Sequence, residues 1–140
     1  MEPLHEVYEA EAPLHGGSVR IWLTFWGASS IAGADWPVVR SFLNDLPTKA
    51  ELARNAIRDQ AHEQTVRRYL QHHIKHGILD AEIEAAEMIT AMNVNILVAP
   101  LERSTEFAVF DFSIDPECTD ELLVVRMGPD GSTAPPSWES

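Results

Sequence analysis

Strand-type hydrophobic patterns flank a helical block in this sequence. Residues 18–26 place alternate side chains on two faces, which predicts a β-strand. After residue 93 come short segments rich in Val, Ile, Leu and Phe, at 94–101, 105–114 and Leu122–Met127, separated by polar turns. This order predicts an α+β fold, with a largely antiparallel sheet of about four or five strands and two or three helices packed on one face.

The middle of the block predicts one long helix. Thr48 and Glu51 fit a capping box, in which the Thr side chain accepts from the third helical N–H and the Glu reaches back. The helical pattern continues to about residue 76, and Gly77 is suited to close it in the left-handed conformation. An apolar stripe on this helix is expected to face the core, and it consists of Leu52, Ala56, Val66, Leu70 and Ile74.

Two shorter helices are expected on either side of the long one. The first is capped by Asp35 and should end near Asn44, because Pro47 disfavours helical geometry in the residue before it. The second is expected over residues 81–92, with Asp80 as its cap.

The chain has 140 residues, of which 45% are apolar and 23% charged, and this predicts one folded domain over residues 1–140. Residues 1–16 show no sustained period, so we expect an irregular N-terminal arm or a short edge strand. Residues 129–140 contain a Pro-Pro pair, and we expect an irregular C-terminal tail. Neither a membrane span of roughly 20 apolar residues nor a signal-peptide pattern is present, which favours a cytoplasmic location.

Charge is distributed unevenly along the sequence. With 10 Lys and Arg against 22 Asp and Glu, the net charge is −12. Residues 48–76 have a balance of +3, from six basic and three acidic side chains, whereas residues 77–140 have a balance of −11, from two basic and thirteen acidic ones. Such a chain repels phosphate backbones and anionic membranes, which argues against nucleic acid and membrane partners. The acidic half suits a basic protein partner, and the alternative is a solvated surface that maintains solubility.

Cys118 is the only cysteine, so an intramolecular disulfide and a multi-thiolate zinc site are both excluded. It lies among four carboxylates, and nearby negative charge raises the pKa of a thiol, so we expect Cys118 to be unreactive. The same four carboxylates are candidate partner contacts, with an ordinary charged turn as the alternative. They are Asp115, Glu117, Asp120 and Glu121.

The strand at residues 18–26 has large side chains on both faces. Trp22 and Trp26 lie opposite the aliphatic set, so either both faces are covered or one face exposes two indoles. Because Trp is enriched among anchoring residues of interfaces, Trp22 and Trp26 are also candidate partner contacts.

Four histidines, His62, His72, His73 and His76, fall on the predicted long helix. His72 and His76 are four residues apart and His73 and His76 three apart, a spacing that suits metal ligation. However, His and Lys near a helix C-terminus are favoured by the helix dipole alone, and no His-Glu-x-x-His motif is present. The sequence therefore assigns no metal and no cofactor. It leaves as an alternative a metal-dependent hydrolase that uses these histidines with carboxylates from residues 111–121.

Several short motifs stand in order in the final third of the chain. They are Phe110-Asp111-Phe112, Thr119-Asp120-Glu121-Leu122-Leu123-Val124-Val125-Arg126, Asp130-Gly131 and Ser137-Trp138-Glu139-Ser140. Together they resemble a bacterial family catalogued as a domain of unknown function, number two thousand and four, and the resemblance extends to the strand at 18–26 and the long helix. It implies a small α/β fold from bacteria with no established activity and no catalytic residues. Small acidic families of this kind include immunity proteins that block toxins.

The sequence as a whole favours recognition over catalysis. Phosphate-binding, dinucleotide-binding and Gly-x-Ser-x-Gly motifs are missing. We therefore expect a non-enzymatic, acidic, immunity-like interaction protein, for which a basic toxin nuclease would be one suitable target. A self-associating homodimer is a further alternative.

Overall fold

A computed structural model of the chain describes residues 5–14, 17–26, 36–59, 63–98, 107–115 and 117–140, with side chains from residue 37 onward. Six strands are present in these ranges: β1 (His5–Leu14), β2 (Gly17–Trp26), β3 (Asn93–Val98), β4 (Ala108–Ser113), β5 (Leu122–Met127) and β6 (Ser137–Glu139). Four helices lie between β2 and β3: α1 (Trp36–Asn44), α2 (Leu46–Arg58), α3 (Glu63–Lys75) and α4 (Ala85–Ala91). The predicted α+β class is confirmed.

The six strands form one sheet in which each strand pairs with its neighbours in sequence. Every pair is antiparallel except β2 and β3, which are parallel. Parallel neighbours require a long crossover connection, and the helical block supplies it. The sheet is therefore largely antiparallel, as predicted, but it has six strands in the described ranges instead of the expected four or five.

The ends of the described chain are more regular than expected. Within the arm predicted for residues 1–16, β1 pairs along its whole length with β2. Pro13 is tolerated there because β1 is an edge strand, where a missing N–H need not remove a ladder bond. Within the tail predicted for residues 129–140, β6 pairs with β5 and forms the other edge. At the N-terminal end the edge strand that was the alternative to an irregular arm is confirmed, whereas the prediction of an irregular tail was wrong for β6.

The single long helix predicted from the capping box is two helices. α2 begins at Leu46, with Asp45 as N-cap and Pro47 in the first turn, so Thr48 lies inside the helix and no side chain caps it. α2 ends at Arg58, and its C-cap residue Asp59 has an extended backbone, with φ −62° and ψ 129°. Neither Gly nor Pro marks this break, so the residue types that most often end a helix were missing.

Because the predicted helix is two helices, the residues that they bury differ in part from the predicted apolar stripe. In α2 the buried residues are Ala50, Ala53 and Ile57, whereas Leu52 is 41% exposed and was wrongly placed in the core. In α3 the prediction of Val66 as buried is confirmed. Gly77, at a φ of 74°, follows the end of α3 as predicted, because only a residue without a side chain adopts this conformation easily.

The last helix is shorter than the predicted 81–92. The side chain of Asp80 accepts a hydrogen bond from the N–H of Glu82 at 3.1 Å, which makes a local turn instead of a helix cap. The helix begins only at Ala85, after the N-cap residue Glu84.

The helices cover one face of the sheet. Phe42 of α1 packs on Phe107 and Phe110, with ring centroids 5.2 and 6.5 Å apart. The Arg54 guanidinium of α2 lies 5.1 Å from the ring centroid of Phe112 and donates to the carbonyl of Ile89 near the end of α4. Phe107, Phe110 and Phe112 are all fully buried between the helices and the sheet. None of the helices in the described ranges is both long and apolar enough to cross a membrane.

Truncation on the two faces of β4 should have unequal effects. Phe110 is fully buried under the helices, whereas its neighbour Val109 is only half-buried on the other face. We expect Phe110→Ala to lower the free energy of unfolding by about 3–5 kcal/mol, because it leaves a cavity in the core. Val109→Ala should lower the free energy of unfolding by about 1 kcal/mol or less. Urea unfolding followed by circular dichroism measures both, and equal losses would contradict this arrangement of the layers.

Candidate functional site

The four carboxylates singled out in the sequence lie in the connection between β4 and β5. The structure separates them into two pairs. Glu117 and Asp120 are exposed, whereas Asp115 and Glu121 are partly buried. We call residues 115–121 the acidic turn; Pro116 is outside the described residues.

The acidic turn is closed by hydrogen bonds to Asp115. Its carbonyl accepts from the N–H groups of Cys118 and Thr119, both at 3.0 Å. One carboxylate oxygen accepts from the N–H of Glu117 at 3.0 Å, and the other accepts from the Cys118 thiol at 3.3 Å. The conformation of the turn is thus fixed locally, and Asp115 acts as its internal acceptor.

Glu121 makes three hydrogen bonds, of which one lies within the turn and two join the turn to the rest of the protein. Its N–H donates to the Thr119 hydroxyl at 3.1 Å, and its carbonyl accepts from the Tyr69 hydroxyl of α3 at 2.7 Å. Its carboxylate accepts from the indole N–H of Trp138 in β6, also at 2.7 Å. The turn is therefore held between the helical layer and the edge of the sheet.

A buried histidine completes this attachment. The His73 side chain, on the core face of α3, has no solvent exposure. Its Nδ1 lies 2.7 Å from the carbonyl of Tyr69, which can only accept, so Nδ1 carries the proton. The neutral ring then accepts at Nε2 from the Thr119 hydroxyl, 3.1 Å away. Both ring nitrogens are used within the protein.

Burial and neighbouring charges shift three pKa values around the turn. Desolvation lowers the pKa of His73, and His72 and His76 add to this effect, while the Tyr69 carbonyl and Glu121 oppose it. Desolvation, reinforced by Glu121, raises the pKa of Tyr69. The hydrogen bond and the charge of Asp115 raise the pKa of the exposed Cys118 thiol, so the expected suppression of its thiolate is confirmed.

The histidines proposed as metal ligands have different environments. His73 faces the core. His72 and His76 pack against each other with ring centroids 4.4 Å apart and the rings tilted by 53°, and His72 also packs on Trp138 at 5.1 Å. His62 lies outside the described residues. Within the described ranges, no three His, Cys, Asp or Glu side chains are grouped so that they could hold a metal ion.

For the two tryptophans of the first predicted strand, the structure describes the strand pairing of the backbone. Trp22 pairs with Leu97 of β3 and with Glu9 of β1, and Trp26 pairs with His5. Their side chains lie outside the described part of the structure, so their role in partner contact stays a prediction.

Sequence reasoning missed the three residues that fix the acidic turn, Tyr69, Thr119 and Trp138. A partial signal was present, because Tyr69 and His73 are four residues apart on the apolar side of α3 and are too polar to be buried without partners. No local pattern indicated that those partners are 46 to 52 residues further along the chain.

Comparison of the chain with protein-family models, with curated proteins and with solved structures finds no match. The resemblance to a bacterial family of unknown function stays a prediction.

Acidification should destabilise the fold through His73. In the unfolded chain a histidine titrates near pH 6.5, whereas burial lowers the pKa of His73 in the folded protein. Neutral His73 makes its full contribution to the free energy of unfolding above about pH 6.5, and this contribution is lost as the pH falls through the lowered pKa. We expect the slope of unfolding free energy against pH, between about 7 and 5, to be smaller in His73→Gln. Parallel curves for His73→Gln and the unaltered protein would contradict the assignment.

The contact between Trp138 and Glu121 should appear as a coupling energy. Trp138→Phe keeps an aromatic ring but removes the N–H that donates to the carboxylate. A double-mutant cycle with Glu121→Ala, which removes the acceptor oxygens and keeps the backbone N–H and carbonyl of residue 121, should give a coupling of about 1 kcal/mol in the free energy of unfolding. Strictly additive losses would mean that the hydrogen bond does not stabilise the turn.

Proposed function

We propose that this protein is a non-enzymatic recognition module whose acidic turn binds a basic protein. The supporting observation is the geometry of the turn: Glu117 and Asp120 are exposed on a short segment that is hydrogen-bonded at both ends. Two carboxylates are thereby presented on a fixed backbone. They suit the ammonium and guanidinium groups of a partner.

Preorganisation favours binding at such a site. Association costs free energy when a loop must be ordered, and a turn that is already ordered avoids part of this cost. The bonds of Asp115 fix the backbone around Glu117, and those of Glu121 fix the backbone that follows Asp120. Only the two exposed side chains remain to be ordered by the partner.

The charge of the whole chain supports a basic partner. The net charge is −12, and residues 77–140, which include the turn, account for −11 of it. A negative potential of this size attracts positively charged proteins and accelerates their encounter. A toxin nuclease with a phosphate-binding surface has the required chemistry, and inhibition of such a toxin in the bacterial cytoplasm is the setting that we propose.

The reactive groups beside the turn are poorly suited to catalysis. The raised pKa of Cys118 disfavours the nucleophilic thiolate. Both nitrogens of His73 are engaged by Tyr69 and Thr119, and the ring is buried. The alternative of a metal-dependent hydrolase has no specific observation in its favour among the described residues.

Removal of charge from the acidic turn should slow association with a basic partner. The probes are an oligolysine peptide and a panel of basic nuclease domains, with association rates measured by stopped-flow fluorescence. We expect rates to fall on the order of tenfold as NaCl rises from about 50 to about 500 mM. The double variant Glu117→Gln, Asp120→Asn should be slower at low salt and less sensitive to salt.

The matched control removes the same charge elsewhere. Glu82 and Glu87 are exposed, and Glu82→Gln with Glu87→Gln also changes the net charge by two units. This control should associate nearly as fast as the unaltered protein. Equal slowing in both double variants would show that total charge matters and that the turn is not the binding site. Salt-independent rates with every probe would also reject the proposal.

A further inference from the structure

Two imidazoles lie side by side at the C-terminal end of α3, outside the acidic turn. The ring centroids of His72 and His76 are 4.4 Å apart, and the rings are tilted by 53°. The N–H of His76 donates to the carbonyl of His72 at 3.1 Å, so the helical turn between the two residues is intact. Residues one turn apart lie on the same face of a helix, and two histidines in this arrangement can ligate one metal ion.

The structure distinguishes the two histidine pairs that the sequence left open. The pair of His73 and His76 is excluded, because His73 is fully buried and both of its ring nitrogens are hydrogen-bonded within the protein. His72 is half-buried and His76 is exposed. In the part of the chain that the structure describes, neither of these two rings is engaged in a hydrogen bond. Their nitrogens are therefore available as ligands.

Packing holds the His72 ring in place. Its centroid lies 5.1 Å from the Trp138 indole and 5.1 Å from the His73 ring, in both cases edge to face. Trp138 is fixed in turn by its hydrogen bond to Glu121. A ligand whose orientation is already fixed loses less conformational entropy on binding. His72 is thus a preorganised first ligand, and the exposed His76 completes the pair.

The electrostatic environment favours a cation. The C-terminal end of a helix carries partial negative charge, and His72 and His76 lie in the last turn of α3 and directly after it. The net charge of the chain, −12, adds to this attraction. The charge of Lys75 opposes it, but this side chain is exposed and its charge is screened by solvent.

We propose that His72 and His76 bind one divalent transition-metal ion. Imidazole nitrogen suits Cu²⁺, Ni²⁺ and Zn²⁺, whereas Mg²⁺ prefers oxygen ligands. Two protein ligands leave the other coordination positions to water, so no third side chain is needed. The proposal assigns the ion no reaction, and it is independent of the acidic turn and of any protein partner.

Metal titrations of the full chain, without an affinity tag, test the ligand chemistry. The probes are the chlorides of Cu²⁺, Zn²⁺ and Mg²⁺, each alone, at about pH 7.5, where histidine is neutral and can ligate. Binding is followed by NMR, through the amide signals of α3 and the indole N–H signal of Trp138, whose ring packs on His72. We expect Cu²⁺ to bind more tightly than Zn²⁺, and Mg²⁺ to leave these signals unchanged. Because Cu²⁺ is paramagnetic, it should broaden these signals first. Broadening confined to other parts of the protein, or an equal response to Mg²⁺, would overturn the proposal.

Single substitutions test the two ligands, with the affinity for Cu²⁺ read from the same signals. His76→Gln should weaken binding by at least about tenfold, because the second imidazole acts at a high effective concentration once the first has bound. His72→Gln should have a similar effect. The matched control is His5→Gln in β1, at the edge of the sheet opposite β6, and it should leave the affinity at this site unchanged.

Circular dichroism shows whether each variant folds. His76 is exposed, so His76→Gln remains decisive even where His72→Gln disturbs the packing of Trp138. Undiminished affinity in folded His76→Gln, or an equal loss in His5→Gln, would overturn the proposal.

Discussion

The geometry of the candidate site depends on two polar side chains that are buried on α3. Tyr69 and His73 have no solvent exposure, and a buried polar group without a partner costs about 1–3 kcal/mol. Their partners are the carbonyl of Glu121 and the hydroxyl of Thr119, both in the acidic turn. The need to satisfy these groups therefore fixes the turn against the helices. Any movement of the turn away from α3 would leave two buried groups unsatisfied.

The class of the fold and the position of most strands followed from the sequence, because alternation and helical periodicity are local properties. The break between α2 and α3 did not, since it contains neither Gly nor Pro. Which face of α2 is buried also depends on the start of that helix. Leu52 was placed in the core when the helix was assumed to run to residue 76, and it is exposed because Ala50, Ala53 and Ile57 face the sheet.

The edge strands show a second limit of local patterns. β1 and β6 contain or follow prolines and lack strong alternation, yet each forms a ladder with a neighbour that the sequence did predict. An edge strand gains hydrogen bonds from one side only, so a partner that is already in place can determine its structure more than its own propensity does. Trp138 illustrates the consequence. It reaches Tyr69 and Glu121 only because β6 pairs with β5 in this register.

The sequence presented four carboxylates as equivalent, and the structure gives them different roles. The carboxylate of Asp115 accepts hydrogen bonds from within the turn, and that of Glu121 accepts one from Trp138. Both carboxylates are therefore already hydrogen-bonded in the protein without a partner. Glu117 and Asp120 are exposed and carry no such bonds within the described residues. A cationic partner would therefore gain most from the second pair, while the first pair determines where that second pair stands. Loss of an anchoring carboxylate and loss of an exposed one should impair recognition for different reasons: the former by disordering the turn, the latter by removing a contact.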